Sequence, residues 1–336
     1  MALHGCDPGG EDVEVLSMTT YPLIIDANSL IIRHIKATQL GDLKANGHFT
    51  GGVYGSLVTL TSLISGIDVQ PDSIYMFFDS GVPAFRREAI PTYKMDRAKR
   101  KEELTPEEKE KCYRQLDEAR RMFSDLGVVC TSFKNREADD CVGAAARLLG
   151  NRNPVVMSGD KDLWQVVPWG GPRVWDLSRK CMIDEDNFAS VAGVPSSMWL
   201  VYRALVGDSS DSIPGAYGCG DKRATQLVLD VVDGGYDHDL DGVAAYLNDT
   251  AEADGKLRKF EDVILNELDR LKDVMRGISL WGSFGDTTRL EELLAKRPPV
   301  RKIPFLKFCN RLGLMSVVGA PDRFLKPFMR AADSRT

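Results

Sequence analysis

The sequence predicts an α/β fold with a mostly parallel sheet flanked by helices, and three apolar runs predict it. They are Leu23-Ile24-Ile25, Ser73-Ile74-Tyr75-Met76-Phe77-Phe78 and Pro154-Val155-Val156-Met157-Ser158-Gly159. Helical segments lie between them, an alternation that reads as strands joined by crossover helices. Each run ends in an aspartate: Asp26, Asp79 and Asp160, with Asp162 close behind. Parallel sheets bind ligands outside the carboxyl ends of their strands, so these carboxylates describe one convergent acidic site. A single strand-end Asp would read as a helix N-cap. Three together are much harder to explain that way.

The elements follow in order. Residues 1–20 are turn-rich, acidic and aperiodic, as in Gly5-Cys6-Asp7-Pro8-Gly9-Gly10-Glu11-Asp12. They carry no basic segment ahead of an apolar core, so they are not a secretory signal. A disordered leader is expected, with Met18 as an alternative start. Residues 21–205 are expected to form the core. After Asp26, Ala27-Asn28-Ser29 can cap a helix from Leu30 to Ala37. Thr50 to Val58 reads as a helix with a glycine-rich face (Gly51, Gly52, Gly55) that lets a backbone or a substrate approach closely. Arg136-Glu137-Ala138-Asp139-Asp140-Cys141 opens a helix through Val142 to Leu149. Glu137 and Asp140 share a face there, and Asp139 lies to one side. Acidic residues suit a helix start, but capping needs one or two carboxylates, not three.

Farther on, Gly207-Asp208-Ser209-Ser210-Asp211-Ser212-Ile213-Pro214-Gly215 adds Asp208 and Asp211. Gly215, Gly218 and Gly220, followed by Lys222, Arg223, Ala224 and Leu227-Val228-Leu229, fit a helix-hairpin-helix. Its glycines allow the tight turn, and amides at the next helix start can bind a backbone phosphate. Residues 206–300 are read as this DNA-binding region. Residues 301–336 are read as a helical tail, with Phe305 to Leu314 returning to the core.

Asp26, Asp79, Glu137, Asp139, Asp140, Asp160, Asp162, Asp208 and Asp211 make a set that one sheet edge could gather. Like charges at close range raise each other's pKa and destabilise a fold unless cations sit among them. Oxygen ligands without His or Cys suit Mg²⁺ or Mn²⁺ over zinc. Two ions about 4 Å apart would fit this supply. Residues 86 to 101 hold seven basic residues against two acidic ones, in a chain of net charge −6. Most charge runs are solvated helix faces. This one follows the second acidic strand end directly, and Tyr93-Lys94 offers a stacking ring beside a phosphate-seeking ammonium.

Composition sets the outer limits. A hydrophobic fraction of 43% and a charged fraction of 27% are those of a soluble globular chain. No apolar run approaches the ~20 residues of a membrane span. The seven cysteines show no CxxC pair, which favours free thiols in a reducing cytosol. The four histidines are dispersed, against a His-built zinc site.

From about Leu23 to about Leu229 the chain resembles the flap endonuclease and 5'-3' exonuclease family. That family includes phage 5'-nucleases and the 5'-nuclease domain of bacterial repair polymerases. The residues that carry the resemblance are Asp26, Phe77-Phe78-Asp79, Phe85-Arg86 and Pro91-Thr92-Tyr93-Lys94-Met95-Asp96-Arg97, then Glu137-Ala138-Asp139-Asp140, Ser158-Gly159-Asp160-Lys161-Asp162 and Gly207 to Gly215. The resemblance implies a PIN-like fold with a helical arch over about 83–115, and two-metal hydrolysis of phosphodiesters near single-strand/duplex junctions. It implies Asp26, Asp79, Glu137, Asp139 and Asp140 around one ion, and Asp160, Asp162, Asp208 and Asp211 around the second. Lys94, with Arg86 or Arg97, would steady the scissile phosphate, and Tyr93 would stack on an unpaired terminal base. The Gly218-Cys219-Gly220 hairpin would grip duplex DNA, with potassium bound there. The implied partner is DNA with 5' single-stranded flaps or ends, or an RNA-DNA hybrid. A cytoplasmic, monomeric, stand-alone nuclease of a bacterial or phage-infected cell is expected, since no polymerase region follows.

Two other classes compete. A haloacid-dehalogenase-like phosphatase also uses a strand-end Asp and a late Gly-Asp-Ser-x-x-Asp. It needs a second carboxylate two residues after the first, where this chain has Asn28. A non-catalytic branched-DNA-binding protein would give the acidic cluster no purpose.

Overall fold

The computed structural model describes residues 20–37, 41–66 and 70–333. The expected leader, apart from Thr20, lies outside them, as does Met18. Six strands form the central sheet: β1 (Tyr21–Asp26), β2 (Pro71–Phe77), β3 (Val129–Thr131), β4 (Val155–Ser158), β5 (Arg173–Asp176) and β6 (Cys181–Ile183). Their spatial order is β3-β2-β1-β4-β5-β6. All neighbours run parallel except β6, which returns antiparallel to β5. The sheet is thus α/β and mostly parallel, as the apolar runs predict.

Alternation along the strands supplies a core on each face. Ile24, Tyr75, Phe77 and Val156 point to one face. Leu23, Ile25, Ile74, Met76, Phe78, Val155 and Met157 point to the other. Helix α1 (Ala27–Lys36) starts one residue after β1, and Asp26 itself is its N-cap, accepting the Ser29 amide at 2.9 Å. The cap is therefore the strand-end carboxylate and not the Ala27-Asn28-Ser29 segment, because that carboxylate is the nearest acceptor to the first turn. Helix α2 (Gly51–Gly66) runs past Val58 because Leu60, Leu63 and Ile64 continue its buried face. Its glycines admit α1 rather than a substrate: a Cβ at Gly55 would lie 2.6 Å from the His34 ring.

Three helices lie between β2 and β3: α3 (Ala84–Ala89), α4 (Met95–Glu103) and α5 (Pro106–Asp125). They occupy the segment expected as the arch. Thr105 and Glu108 cap α5 reciprocally. Helix α6 (Ala138–Leu148) follows β3 and packs against β1 and β2. Helices α7 (Glu185–Ala192) and α8 (Trp199–Val206) lead into a two-residue antiparallel ladder, Gly207–Asp208 with Ile213–Pro214. Then come α9 (Asp221–Asp233), α10 (Leu240–Asp254), α11 (Lys259–Asn266), α12 (Leu268–Ile278) and α13 (Thr288–Leu294).

One apolar cluster runs from Tyr75 and Val156 on the sheet through Trp164 and Trp199 to Leu227, Leu247 and Leu290. The hairpin region therefore shares its core with the sheet. Helices α14 (Lys302–Arg311), α15 (Met315–Gly319) and α16 (Pro321–Asp333) cover the opposite face. Phe305, Phe308, Leu325 and Phe328 pack there with Leu23 and Met76. Among the described residues no helix is long and apolar enough to cross a membrane, and Cys130, Cys141, Cys181, Cys219 and Cys309 are free thiols.

Candidate metal centre and nucleic-acid interface

Sheet order explains how distant aspartates meet. Strands β2, β1 and β4 are adjacent and parallel, so Asp26, Asp79 and Asp160 emerge at one edge. Helix α6 brings Asp139 to the same place. The carboxylates are held by short polar contacts that the sequence reading did not include. The Ser158 hydroxyl donates to Asp26 Oδ2 (3.1 Å) and accepts the Asp160 amide (3.0 Å). Ser29 Oγ accepts the Gly159 amide at 2.9 Å, tying α1 to the end of β4. Asn28 Nδ2 donates to Asp79 Oδ2 (2.8 Å), and the Ala138 amide donates to Asp79 Oδ1 (2.7 Å). Polar residues at two strand-to-helix junctions, Asn28 and Ser29 after β1 and Ser158 at the end of β4, were the available signal.

Burial, then the Asp79 charge, pushes the Asp26 carboxyl well above the usual range. Asp139 is raised in the same direction by burial, then by Asp160 and Asp26. No Lys or Arg among the described residues forms an ion pair with Asp26, Asp79, Asp139 or Asp160. Lys94 acts to lower Asp79 and Asp139 from a distance without pairing with either, and four carboxylates that repel one another with no base in ion-pair contact are a donor set that fits a hard divalent cation. Among the described residues, no group of three or more His, Cys, Asp or Glu side chains stands arranged to hold a metal ion. The fit is one of charge and ligand chemistry.

The other predicted ligands stand differently. Glu137 and Asp140 are buried against Arg86, whose guanidinium forms ion pairs with both and whose Nε donates to the Gly277 carbonyl at 2.9 Å. Lys94 also pairs with Glu137. These bases hold the Glu137 carboxyl below its usual range although burial works against its charge. Asp140 accepts the Glu137 amide at 3.1 Å, capping α6. Arg86 is only 3% exposed and is fully engaged by protein groups, so it is not presented to a phosphate. The Tyr93 ring packs with Ile90, Ala204, Ile213, Val274 and Ile278, and its hydroxyl donates to Glu137 at 3.0 Å. Buried in that cluster, the ring is not presented for stacking on a base. Its apolar contacts with α8 and α12 outcompete exposure.

Asp162 and Asp208 share one base, Arg203, which lies at 2.8 Å from each through Nε and Nη2. Arg203 was absent from the predicted site. Its position on the last turn of α8, five residues before Asp208, was the signal. Asp211 is covered by Arg97 Nε at 2.7 Å, with Lys94 Nζ at 3.8 Å. Lys94 is held in the left-handed region at φ 56°, and its amide donates to the Asp211 carbonyl at 2.7 Å. The arch base and the Asp208–Asp211 turn are thereby locked together.

The hairpin follows immediately. Gly215 approaches the α8 backbone so closely that a Cβ would lie 2.4 Å from the Val206 carbonyl. Gly218 adopts φ 80°, and Gly220 is the N-cap of α9 with no side chain over the helix amides. Lys222 and Tyr217 are exposed. Arg223 turns back, donating from Nη1 to the Gly218 carbonyl at 2.6 Å. The structure thus presents open amides beside Lys222, with Arg223 bracing the turn.

Known proteins share the fold of this chain. The family described as 5'-3' exonuclease, N-terminal resolvase-like domain, matches residues 22–193. The 5'-3' exonuclease of Bacillus subtilis (strain 168) is 30% identical over 214 residues, 61% of this chain and 69% of that protein. DNA polymerase I of Lactococcus lactis subsp. cremoris is 32% identical over 218 residues, 61% of this chain. The chain spans about a quarter of the length of that polymerase, 24%. The structure of T5 5'-exonuclease with divalent metal ions (zinc) shares the fold, with TM-score 0.61 at 16% identity, covering 93% of this chain and 99% of that one. The catalytic core of Rad2 in complex with DNA substrate also shares it, with TM-score 0.56 at 18% identity over 93% of this chain and 94% of that one. With more than half its length inside that match, the chain belongs to the 5'-3' exonuclease N-terminal resolvase-like domain family.

Proposed function

We propose that this protein is a divalent-metal-dependent, structure-specific 5' nuclease that hydrolyses phosphodiester bonds where a 5' single strand meets duplex DNA. One observation carries it. Four carboxylates without an ion-paired base, Asp26, Asp79, Asp139 and Asp160, stand at one sheet edge beside a base-rich segment that begins a few residues beyond Asp79.

Asp26, Asp79, Asp139 and Asp160, the last expected from the sequence at the second ion, would hold the first Mg²⁺ or Mn²⁺. Asp162, Asp208 and Asp211 would serve a second. Such cations supply Lewis acidity and charge neutralisation at the scissile phosphate. The chain's own groups do the placing. Ser158, Ser29 and Asn28 fix the carboxylates before substrate arrives, which lowers reorganisation during the reaction. Lys94 and Arg97 stand at the arch base, where an incoming phosphate competes with Glu137 and Asp211 for their charge. Burial opposes the Lys94 charge, but the Tyr93 hydroxyl, Glu137 and Asp139 around it more than offset that and keep it protonated. A groove of about 750 Å³ lined by Arg87, Glu88, Lys134 and Arg136 opens beside the arch and offers a cationic path for a strand. The α9 amides and Lys222 bind a duplex phosphate without reading sequence. Glu137, Asp140 and Arg86 act together as an ionic brace beneath the site.

The substrate is DNA with a 5' flap or end, and RNA-DNA hybrid is admitted because no base-reading element is present in this set. Potassium at the hairpin, a monomeric state and a cytosolic setting are part of the same proposal. Free thiols fit a reducing compartment. The phosphatase reading fails at Asn28, whose amide is committed to Asp79 and cannot act as a general acid. A 5'-labelled flap duplex incubated with Mg²⁺ or with EDTA, beside a small phosphomonoester, tests the proposal. Short labelled products that need Mg²⁺ support it. Phosphate released only from the ester favours the phosphatase, and DNA retained intact with Mg²⁺ favours a binder.

A further inference from the structure

The predicted ligands divide by whether a base already faces them. Among the described residues, Asp26, Asp79, Asp139 and Asp160 form no ion pair, and Lys94 acts on Asp79 and Asp139 only at a distance. Asp162 and Asp208 are bridged by one guanidinium, with Arg203 Nε 2.8 Å from Asp162 Oδ1 and Nη2 2.8 Å from Asp208 Oδ2. Asp211, the remaining carboxylate of this group, is covered by Arg97 and Lys94. The second position is therefore balanced by protein cations, and its residues as arranged do not fit a further ion.

We propose that Arg203 is a resident stand-in cation, so that the DNA-free protein binds one divalent ion and the second site opens only when substrate displaces the bases. This rests on the metal-dependent reading above. Three features of Arg203 support it. Its guanidinium makes charge-assisted contacts to two carboxylates at once, a fixed geometry that lysine would not reproduce. Its side chain is only 14% exposed, against 18% for Asp162 and 24% for Asp208, so water weakens the pairs little. Its backbone is anchored where the Gly207 amide donates to the Arg203 carbonyl at the end of α8. A divalent ion entering between Asp162 and Asp208 must break both contacts and leave the guanidinium partly buried without a partner, which is unfavourable. A DNA phosphate supplies such a partner, and it also draws Lys94 and Arg97 from Asp211. Arg203 is thus a positioning residue that couples loading of the second ion to the presence of DNA.

Mn²⁺ binding to the full chain, followed by the electron spin resonance of free Mn²⁺, tests this without turnover. Wild type without DNA should bind one ion, Asp139→Asn should lose it, and Asp208→Asn should retain it. A product duplex should add a second ion to wild type. Arg203→Gln, with folding checked by circular dichroism, should bind the second ion without DNA at least about tenfold more tightly than wild type. If that variant does not fold, the wild-type and Asp208→Asn counts still decide. Two comparable ions on DNA-free wild type, or one lost in Asp208→Asn, would overturn the role of Arg203 and leave the metal centre intact. No Mn²⁺ bound to wild type at all would overturn both.

Discussion

Replacing Arg86 by methionine should unfold the ionic brace under the site, and the loss can be sized. Arg86→Met keeps the length of the side-chain stem and removes the guanidinium. Three acceptors lose their donor: Glu137, Asp140 and the Gly277 carbonyl, the last at 2.9 Å from Nε. Glu137 is 3% exposed and Asp140 0%, so water cannot replace the contacts. Lys94 still reaches Glu137, but no other base pairs with Asp140 among the described residues. Removing one partner of a buried ion pair costs about 3–5 kcal/mol, most of it from the charge left behind. Over a chain of 336 residues, an unfolding entropy of about 2.1 cal/mol/K per residue gives a fall in Tm of about 4–7 °C. Thermal melts of Arg86→Met, Asp140→Asn and the double variant in EDTA measure it. The double variant should be more stable than the sum of the two single losses, since neutralising Asp140 removes the stranded charge. A loss under about 1 kcal/mol, or strict additivity, would refute the brace and return Arg86 to the phosphate.

Tyr93→Phe should cost about 1 kcal/mol by removing the hydroxyl that donates to Glu137, with a matching drop in Tm. A ring that stacked on a base would be indifferent to this change, so unaltered stability would argue for stacking. Gly215→Ala places a Cβ 2.4 Å from the Val206 carbonyl, and backbone cannot rotate aside as a side chain can. The expected cost is about 1–3 kcal/mol with weakened duplex binding, read by melts and fluorescence anisotropy. Normal binding would place the duplex contact elsewhere. Asp139→Asn removes one of the mutually repelling carboxylates, so it should raise Tm in EDTA and abolish both cleavage and the rise in Tm that Mg²⁺ gives wild type. A lower Tm in EDTA would show that Asp139 is held by a partner and does not await a cation.

Most of the frame was legible because its signals are local. Strand-length apolar runs ending in Asp26, Asp79 and Asp160 specify a parallel sheet edge, and the sheet order supplies their convergence. Phe305 to Leu314 could be seen returning to the core from apolar spacing alone. Misassigned groups were those whose meaning depends on a partner distant in sequence. Tyr93-Lys94 reads as ring and ammonium together, yet one packs inward against Ile278 and Val274 while the other faces the acidic edge. Arg86 reads as one more base in a charged run, yet Gly277 and Asp140 complete its contacts from far along the chain. Arg203 lies in an apolar helix and draws no notice until Asp162 and Asp208 fold around it.

These cases share a cause. Sequence shows where charge is written, but pairing decides what a charge can still do. The nine carboxylates look alike in the chain. Folded, Glu137 and Asp140 pair with Arg86, Asp162 and Asp208 with Arg203, and Asp211 with Arg97, while Asp26, Asp79, Asp139 and Asp160 form no ion pair among the described residues. In the function proposed here, a divalent cation is needed most where no base forms an ion pair, so the first ion would belong with those four. Substrate phosphates would then decide when the paired three become ligands. That ordering would tie catalytic readiness to the presence of DNA through ion-pair competition.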